Sequence, residues 1–359
     1  MSASRASLEQ TLTQAWQRKG LLAWSLAPLA LLMWLLVGLR RCAYRYGILE
    51  GQPLPRPVLV VGNRIAGGAG KTPTTLALLR HLQTQGWQPG VLTRGHGSDA
   101  GNELRLLDAA HAGRWTAAQT GDEPMLIWRH TGVPTMVGRD RTAAGRALLA
   151  AHPEVDILVC DDGLQHLRLA RDIEVVVFDE RGGGNGWLLP AGPLREPVHT
   201  PSGARNQAAP LVLYNAPEPS TDLPGYLAKR SLAAPQSLVD WAGTLPNVSG
   251  SSAKLPQGAA VLALAGIAQP ARFFEALQQQ GFQVTGVPLP DHAQWDALPW
   301  PEGTAHVVVT EKDAVKLDPE RIQRERPGTT VWVAALHFEP DPDFWAELDR
   351  RLAALTSFR

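Results

Sequence analysis

The longest uninterrupted apolar stretch of the chain runs over residues 21–39, LLAWSLAPLALLMWLLVGL, and carries no charged residue. As a helix it would extend about 28 Å, close to the hydrocarbon thickness of a bilayer. Arg18 and Lys19 precede it, Arg40, Arg41 and Arg45 follow it, and Trp16, Trp24, Trp34, Tyr44 and Tyr46 lie where interfacial aromatics are useful. The pattern predicts a membrane-associated helix within residues 1–48. Spanning and one-leaflet insertion both stay open, as does burial against the rest of the chain, because Pro28 and Gly38 weaken a straight spanning helix. A cleavable signal peptide fits poorly, since the apolar run exceeds the usual length and leads into Arg40-Arg41 without a small-residue cleavage site.

After the Pro-punctuated junction at 51–57 the pattern changes to short apolar runs of buried-strand type, at 58–61, 90–93, 155–160 and 173–178. Helical spacing around 74–82 follows the first of them, so the region reads as repeated βα units. Runs at 211–214, 259–265, 306–310 and 331–334, with a helical pattern over 271–280, restore the alternation further on and predict a second sheet. The fold class is α/β: a parallel-sheet core over residues 49–210 and a smaller α/β domain over 211–359, its last helix free to pack back on the core. The Gly/Pro-rich segment 182–197 is too long for a simple connector, and such loops are usually functional or mobile.

Composition changes this picture only by exclusion. A chain of 359 residues exceeds the usual size of one core. The 34 Lys and Arg balance the 34 Asp and Glu, which removes a global electrostatic case for nucleic acid as a partner. With 44% hydrophobic and 19% charged residues the chain has material for buried cores. Cys42 and Cys160 are too few for a disulfide framework or a thiolate metal site, so a reducing compartment is the default.

The sharpest chemistry follows the first apolar run. In GNRIAGGAGKTPTT, the residues Gly67, Gly68, Ala69, Gly70, Lys71, Thr72 and Pro73 lead from strand to helix. Glycines let successive N–H groups converge on phosphate oxygens, and the helix N-terminus adds partial positive charge. Lys71 can reach β and γ phosphates, and Thr72 can ligate Mg²⁺. The core is therefore P-loop NTPase-like, although Ile65 stands where the strict pattern has its first glycine. The run 155–160 ends in Asp161-Asp162-Gly163, which sets two carboxylates at the C-terminal edge of a strand, where a metal-holding acid belongs.

Three other features carry little weight on their own. Gly121-Asp122-Glu123-Pro124 reads as an acidic helix start, His292 in Pro290-Asp291-His292 as a loop histidine, and Arg195 as a surface arginine. Together the motifs resemble the tetraacyldisaccharide 4'-kinase family over nearly the whole chain. The marks are GGAGKTP at 67–73, TRGHG at 93–97, GDEP at 121–124, DDGLQH at 161–166 and GNGWLLPAGPLREP at 184–197. AGIAQPARFF at 265–274, DH at 291–292 and TEKDAVKL at 310–317 complete the set.

The resemblance implies ATP-dependent phosphorylation of the 4'-hydroxyl of a tetraacyldisaccharide 1-phosphate, giving lipid IVA, with Mg²⁺ as cofactor. It implies an enzyme at the cytoplasmic face of the bacterial inner membrane, whose partners are the bilayer and its lipid substrate, with no obligatory protein partner. Lys71 and Thr72 would serve ATP and Mg²⁺, Asp161 and Asp162 the metal, and Arg195 the transferring phosphoryl group. Asp122 would accept the sugar hydroxyl proton, with His292 pairing to tune or relay it, and domain closure about 197–210 would complete the site. Two departures stand out: His96 occupies the usual Tyr position of TRGHG, and Ile65 replaces a small hydroxyl residue. The rival readings are a membrane-associated P-loop ATPase or GTPase switch and a soluble small-molecule kinase.

Overall fold

The computed structural model describes residues 15–98, 101, 103–243, 254–290, 295 and 297–356. The chain forms two compact units, each assembled from separated stretches: the first from residues up to 75, 155–229 and 339 onward, the second from 76–154 and 230–338.

In the first unit, β1 (Val58–Gly62) pairs in parallel with β5 (Ile157–Cys160) on one side and β6 (Ile173–Asp179) on the other. β7 (Leu211–Asn215) and β8 (Tyr226–Leu232) continue the parallel order outward from β6. Every residue of β1, β5, β6 and β7 is buried, which is why these strands read as continuous apolar runs rather than alternating ones. Glu174, the second residue of β6, is paired at 3.3 Å with the equally buried Arg171. The C-terminal helix, Pro342–Thr356, belongs to this unit, where Arg351 donates to the Ala209 carbonyl at 2.6 Å.

The apolar N-terminal run forms α1 (Leu21–Arg45), whose mean hydropathy of 2.1 over an 18-residue window makes it long and apolar enough to cross a membrane. Only 11% of that window is buried, and Leu31, Leu36 and Leu39 are 60%, 56% and 68% exposed. The helix is thus not the core element that burial against the rest of the chain would have made. One stripe nonetheless touches the first unit. Trp24 meets Trp187 edge to face at 4.7 Å, Met33 packs on an apolar cluster, and Arg41 binds Glu196 at 2.6 Å.

In the second unit, β2 (Pro89–Thr93) and β4 (Thr135–Val137) run parallel, and β3 (Arg105–Leu107) pairs antiparallel with β4. A five-stranded sheet in the order β11-β10-β12-β13-β9 completes it, built from Gln283–Pro288, Ala260–Ala265, His306–Thr310, Thr330–Ala334 and Gln236–Ser237. Its core draws on both stretches of chain: Met125, Leu126 and Trp128 share one cluster with Val307, Val309, Ala314 and Val333.

A charged clasp fastens the end of the helix Arg141–Ala151 to the chain leaving β3. His152 places Nδ1 2.8 Å from Glu154 Oε1 and Nε2 2.9 Å from Asp108 Oδ2. Ionised carboxylates only accept, so both ring nitrogens are donors and the imidazole is cationic. Burial works against that charge, but the hydrogen bonds to Glu154 and Asp108 outweigh it and raise His152 above its ordinary value of 6.5. A raised folded value makes the stabilisation complete below about pH 6.5 and lost as pH climbs through the folded value. Thermal melts of the native chain and His152→Gln should therefore differ most at about pH 6 and converge as the pH rises. A difference that widened with pH would contradict the clasp.

Candidate active site

The phosphate loop follows β1, and α2 (Lys71–Thr84) opens at Lys71, earlier than hydropathy alone placed the helix. Gly67 and Gly70 adopt φ of +88° and +93°, conformations that glycine tolerates and side chains rarely do. At Gly70 a Cβ would also run into the Asn215 amide, which donates to the Ala69 carbonyl at 3.3 Å. Ile65 is fully buried with Ala69, Leu188 and Leu194, against Met33 of α1 and Val198. That packing accounts for an aliphatic residue at a position where a hydroxyl was the expectation.

Two groups that sequence reading did not single out shape the loop. The Arg181 guanidinium, held by Asp179 at 2.8 Å, donates to the carbonyls of Gly68 at 2.8 Å and Ala66 at 3.3 Å. Tying down carbonyls in this way favours N–H groups facing the other side of the loop, as an anion site needs. Asn63 lies 3.4 Å from Lys71 Nζ through Oδ1 and donates to the Gly67 carbonyl at 3.0 Å. Arg181 merely precedes a glycine run, and Asn63, although it lies within the GNRIAGGAGKTPTT segment, occupies a position to which the motif assigns no residue type.

The acidic pair leaves β5 at the C-terminal edge of the sheet. Asp161 is 1% exposed, and its Oδ1 accepts from the Thr75 hydroxyl of α2 at 2.8 Å. Asp162 takes φ +51°, a costly conformation for a non-glycine residue that tends to mark functional sites. Its Oδ1 lies 3.7 Å from Lys71 Nζ and 3.2 Å from Arg195 Nη1. The turn itself is pinned by buried Arg171, which donates to the carbonyls of Leu164, His166 and Leu169 at 3.0, 2.6 and 3.1 Å. Burial pushes the Arg171 guanidinium below its ordinary value while the Glu174 charge opposes the shift.

Arg195 therefore sits in the site rather than on the open surface, and a polar chain runs from it toward α1. Gln165 approaches Arg195 at 3.5 Å and Glu196 at 3.3 Å, and Glu196 in turn holds Arg41. Lys71, Asp162 and Arg195 are brought together in the first unit.

Asp122 lies in the second unit, as the first residue of α3 (Asp122–Thr131) after the N-cap Gly121 at φ +96°. A carboxylate there is favoured by the helix N-terminus. A Cβ on Gly121 would come 2.9 Å from the His96 carbonyl, so the GDEP start packs directly on the TRGHG turn, and His96 itself is exposed. Asp122 is 5% exposed, with Oδ2 3.2 Å from Lys316 Nζ. Glu123 faces Lys312 at 3.7 Å, and His130 near the helix end faces Glu311 at 2.8 Å. Asp291 and His292 lie outside the described residues.

Among the described residues no group of three or more His, Cys, Asp or Glu could hold a metal ion by itself. Thr72, Asp161 and Asp162 offer hydroxyl and carboxylate oxygens, the donor type that Mg²⁺ takes together with waters and phosphate oxygens.

A family model described as tetraacyldisaccharide-1-P 4'-kinase matches residues 22–353. A protein named tetraacyldisaccharide 4'-kinase from Methylibium petroleiphilum is 57% identical, with 99% of this chain and 97% of the relative covered. One of the same name from Leptothrix cholodnii is 54% identical, with 100% and 99% covered. A crystal structure of the "apo" form of LpxK from Aquifex aeolicus in complex with ATP superposes with a TM-score of 0.74, over 93% of this chain and 99% of that one. At 23% identity, that likeness concerns the fold.

Proposed function

We infer the reaction from one premise: this chain belongs to the tetraacyldisaccharide-1-P 4'-kinase family. It is an ATP-dependent kinase that phosphorylates the 4'-hydroxyl of a tetraacyldisaccharide 1-phosphate in lipid A biosynthesis. The observation that carries this reading into the chain's own residues is the phosphate loop, with Lys71 set between Asn63 and Asp162 beside Arg195. A switch ATPase needs such a loop too, but it has no need of the GDEP and TEKDAVKL motifs.

Phosphoryl transfer asks for positioning and charge neutralisation more than covalent chemistry. Backbone N–H groups of residues 67–72 cradle the nucleotide phosphates, and Lys71 neutralises the β and γ oxygens. Mg²⁺, held by Thr72, Asp161 and Asp162, would supply further neutralisation of the phosphate oxygens. Arg195, whose Nη1 donates to Asp162 Oδ1 at 3.2 Å, offers a guanidinium to the group in transfer. Asp122 accepts the proton of the acceptor hydroxyl as the new O–P bond forms and the bond to the ADP leaving group breaks. His292 keeps the pairing role that the family resemblance implies.

An acceptor with several acyl chains stays in the bilayer, so α1 brings the enzyme to the surface where its substrate resides, on the cytoplasmic side where ATP is present. Removing α1 outright would also strip Met33 from Ile65 and Arg41 from Glu196. The cleaner test replaces Leu32, Leu36 and Leu39, all on exposed surface, by Asn. Transfer to vesicle-borne acceptor is expected to fall at least about tenfold while ATP affinity stays within about twofold. Undiminished transfer would remove the membrane role of α1, and a parallel loss of ATP binding would mark the helix as a folding element.

A further inference from the structure

The motif TEKDAVKL has no part in the roles assigned so far, yet it surrounds Asp122. Lys316, the last cation of the motif, is 8% exposed at its side chain, and its Nζ lies 3.2 Å from Asp122 Oδ2 and 3.2 Å from Asp313 Oδ1. The same ammonium sits 5.9 Å from the centre of the Trp295 ring. A buried ammonium is costly unless paired. For that purpose one carboxylate would be enough.

Asp313 is the fixed member of the pair. It is fully buried, and its Oδ2 accepts from the Gly266 N–H at 2.9 Å and from the Thr310 hydroxyl at 2.7 Å. Thr310 also caps the short helix Glu311–Ala314 by accepting from the Asp313 N–H. AGIAQP and TEKD are thereby locked together around one carboxylate, and Lys316 is tethered to it. We propose that Lys316, anchored by Asp313, is the positioning residue that orients the Asp122 carboxylate for proton abstraction from the acceptor hydroxyl.

The proposal rests on Asp122 being the base, and the presence of two carboxylates then acquires a reason. When the acceptor O–H bond breaks and the proton moves to Asp122, that carboxylate loses its charge. Lys316 remains paired with Asp313, so turnover never leaves an isolated ammonium in the interior. The contacts of Lys316 are with Asp122, Asp313 and the Trp295 ring, all of the second unit, so its effect should appear in kcat.

The test is a mutant cycle on the full-length chain in detergent micelles, following γ-³²P transfer from ATP to tetraacyldisaccharide 1-phosphate. Lys316→Met is expected to lower kcat about 10- to 100-fold, as loss of a supporting partner typically does, with the KM for ATP within about twofold. In an Asp122→Ala background the same substitution should cost less than about twofold further, because it acts through a group already gone. K316C, made in a C42S/C160A background, S-aminoethylated in denaturant because position 316 is buried and then refolded, should recover most of the lost kcat by restoring an ammonium of the same reach. A merely structural lysine would give losses that multiply with those of Asp122→Ala, and that result overturns the proposal. So would native kcat in Lys316→Met beside an inactive Asp122→Ala. Native kcat in Asp122→Ala itself would overturn the base assignment on which the proposal stands. If Lys316→Met fails to fold, aminoethylated K316C decides: folded protein that remains inactive counts against the positioning role.

Discussion

Asp122→Ala is expected to lower kcat for lipid phosphorylation by about 10³-fold, the middle of the range for loss of a general base. The side chain is nearly buried in the first turn of α3, fixed by the Gly121 approach to the TRGHG turn and by Lys316. Its removal should leave the fold largely intact, because Lys316 keeps Asp313 as a partner. ATP affinity should stay within about twofold, since the phosphate loop is built by other residues. The check is steady-state kinetics alongside thermal melting. A kcat within about threefold of native would exclude Asp122 as the base, and a collapsed melting transition would trace the loss to folding.

Lys71→Ala should be comparably damaging for a different reason. Its Nζ lies 3.4 Å from Asn63 Oδ1 and 3.7 Å from Asp162 Oδ1, which fixes the ammonium at the phosphate loop where charge develops on the phosphates. Loss of one such preorganised donor typically costs 10²- to 10³-fold in kcat, about 3 to 4 kcal/mol of barrier. ATP affinity should weaken as well, which distinguishes this variant from Asp122→Ala. Lys71→Arg should rescue poorly, because a planar fork does not reproduce a compact point charge in a tight loop. Titration with ATP and single-turnover transfer separate the two effects.

How far the sequence reached follows from the distance over which each feature is encoded. The phosphate loop was legible because strand, glycines, Lys71 and helix are consecutive, and the acidic pair because it closes an apolar run. The exposed apolar helix was legible for the same reason. The assignments that needed long-range contacts were not. Arg195 looks like a surface arginine by its local sequence and took its expected role only from the family resemblance, and Arg181 has no local mark of its contact with the phosphate loop. Ile65 was visible as a departure, but its cause lies in Met33 and the loop around Leu188 and Leu194. Lys316 stands within the TEKDAVKL motif with no local sign of a role, because its meeting with Asp122 joins chain segments far apart in sequence. Likewise, periodicity locates strands but does not encode which separated stretches fold into one unit. The family resemblance supplied roles for Asp122 and His292 that local residue chemistry alone could not.

The most direct measurement is transfer of γ-³²P from ATP to tetraacyldisaccharide 1-phosphate by the purified full-length chain in detergent micelles, with the labelled position established by ³¹P NMR of the product. Label on the 4'-oxygen, dependent on Mg²⁺ and on the acceptor, is the expected result. ATP that is bound and hydrolysed with no label reaching the lipid would contradict the assignment and point instead to a nucleotide switch.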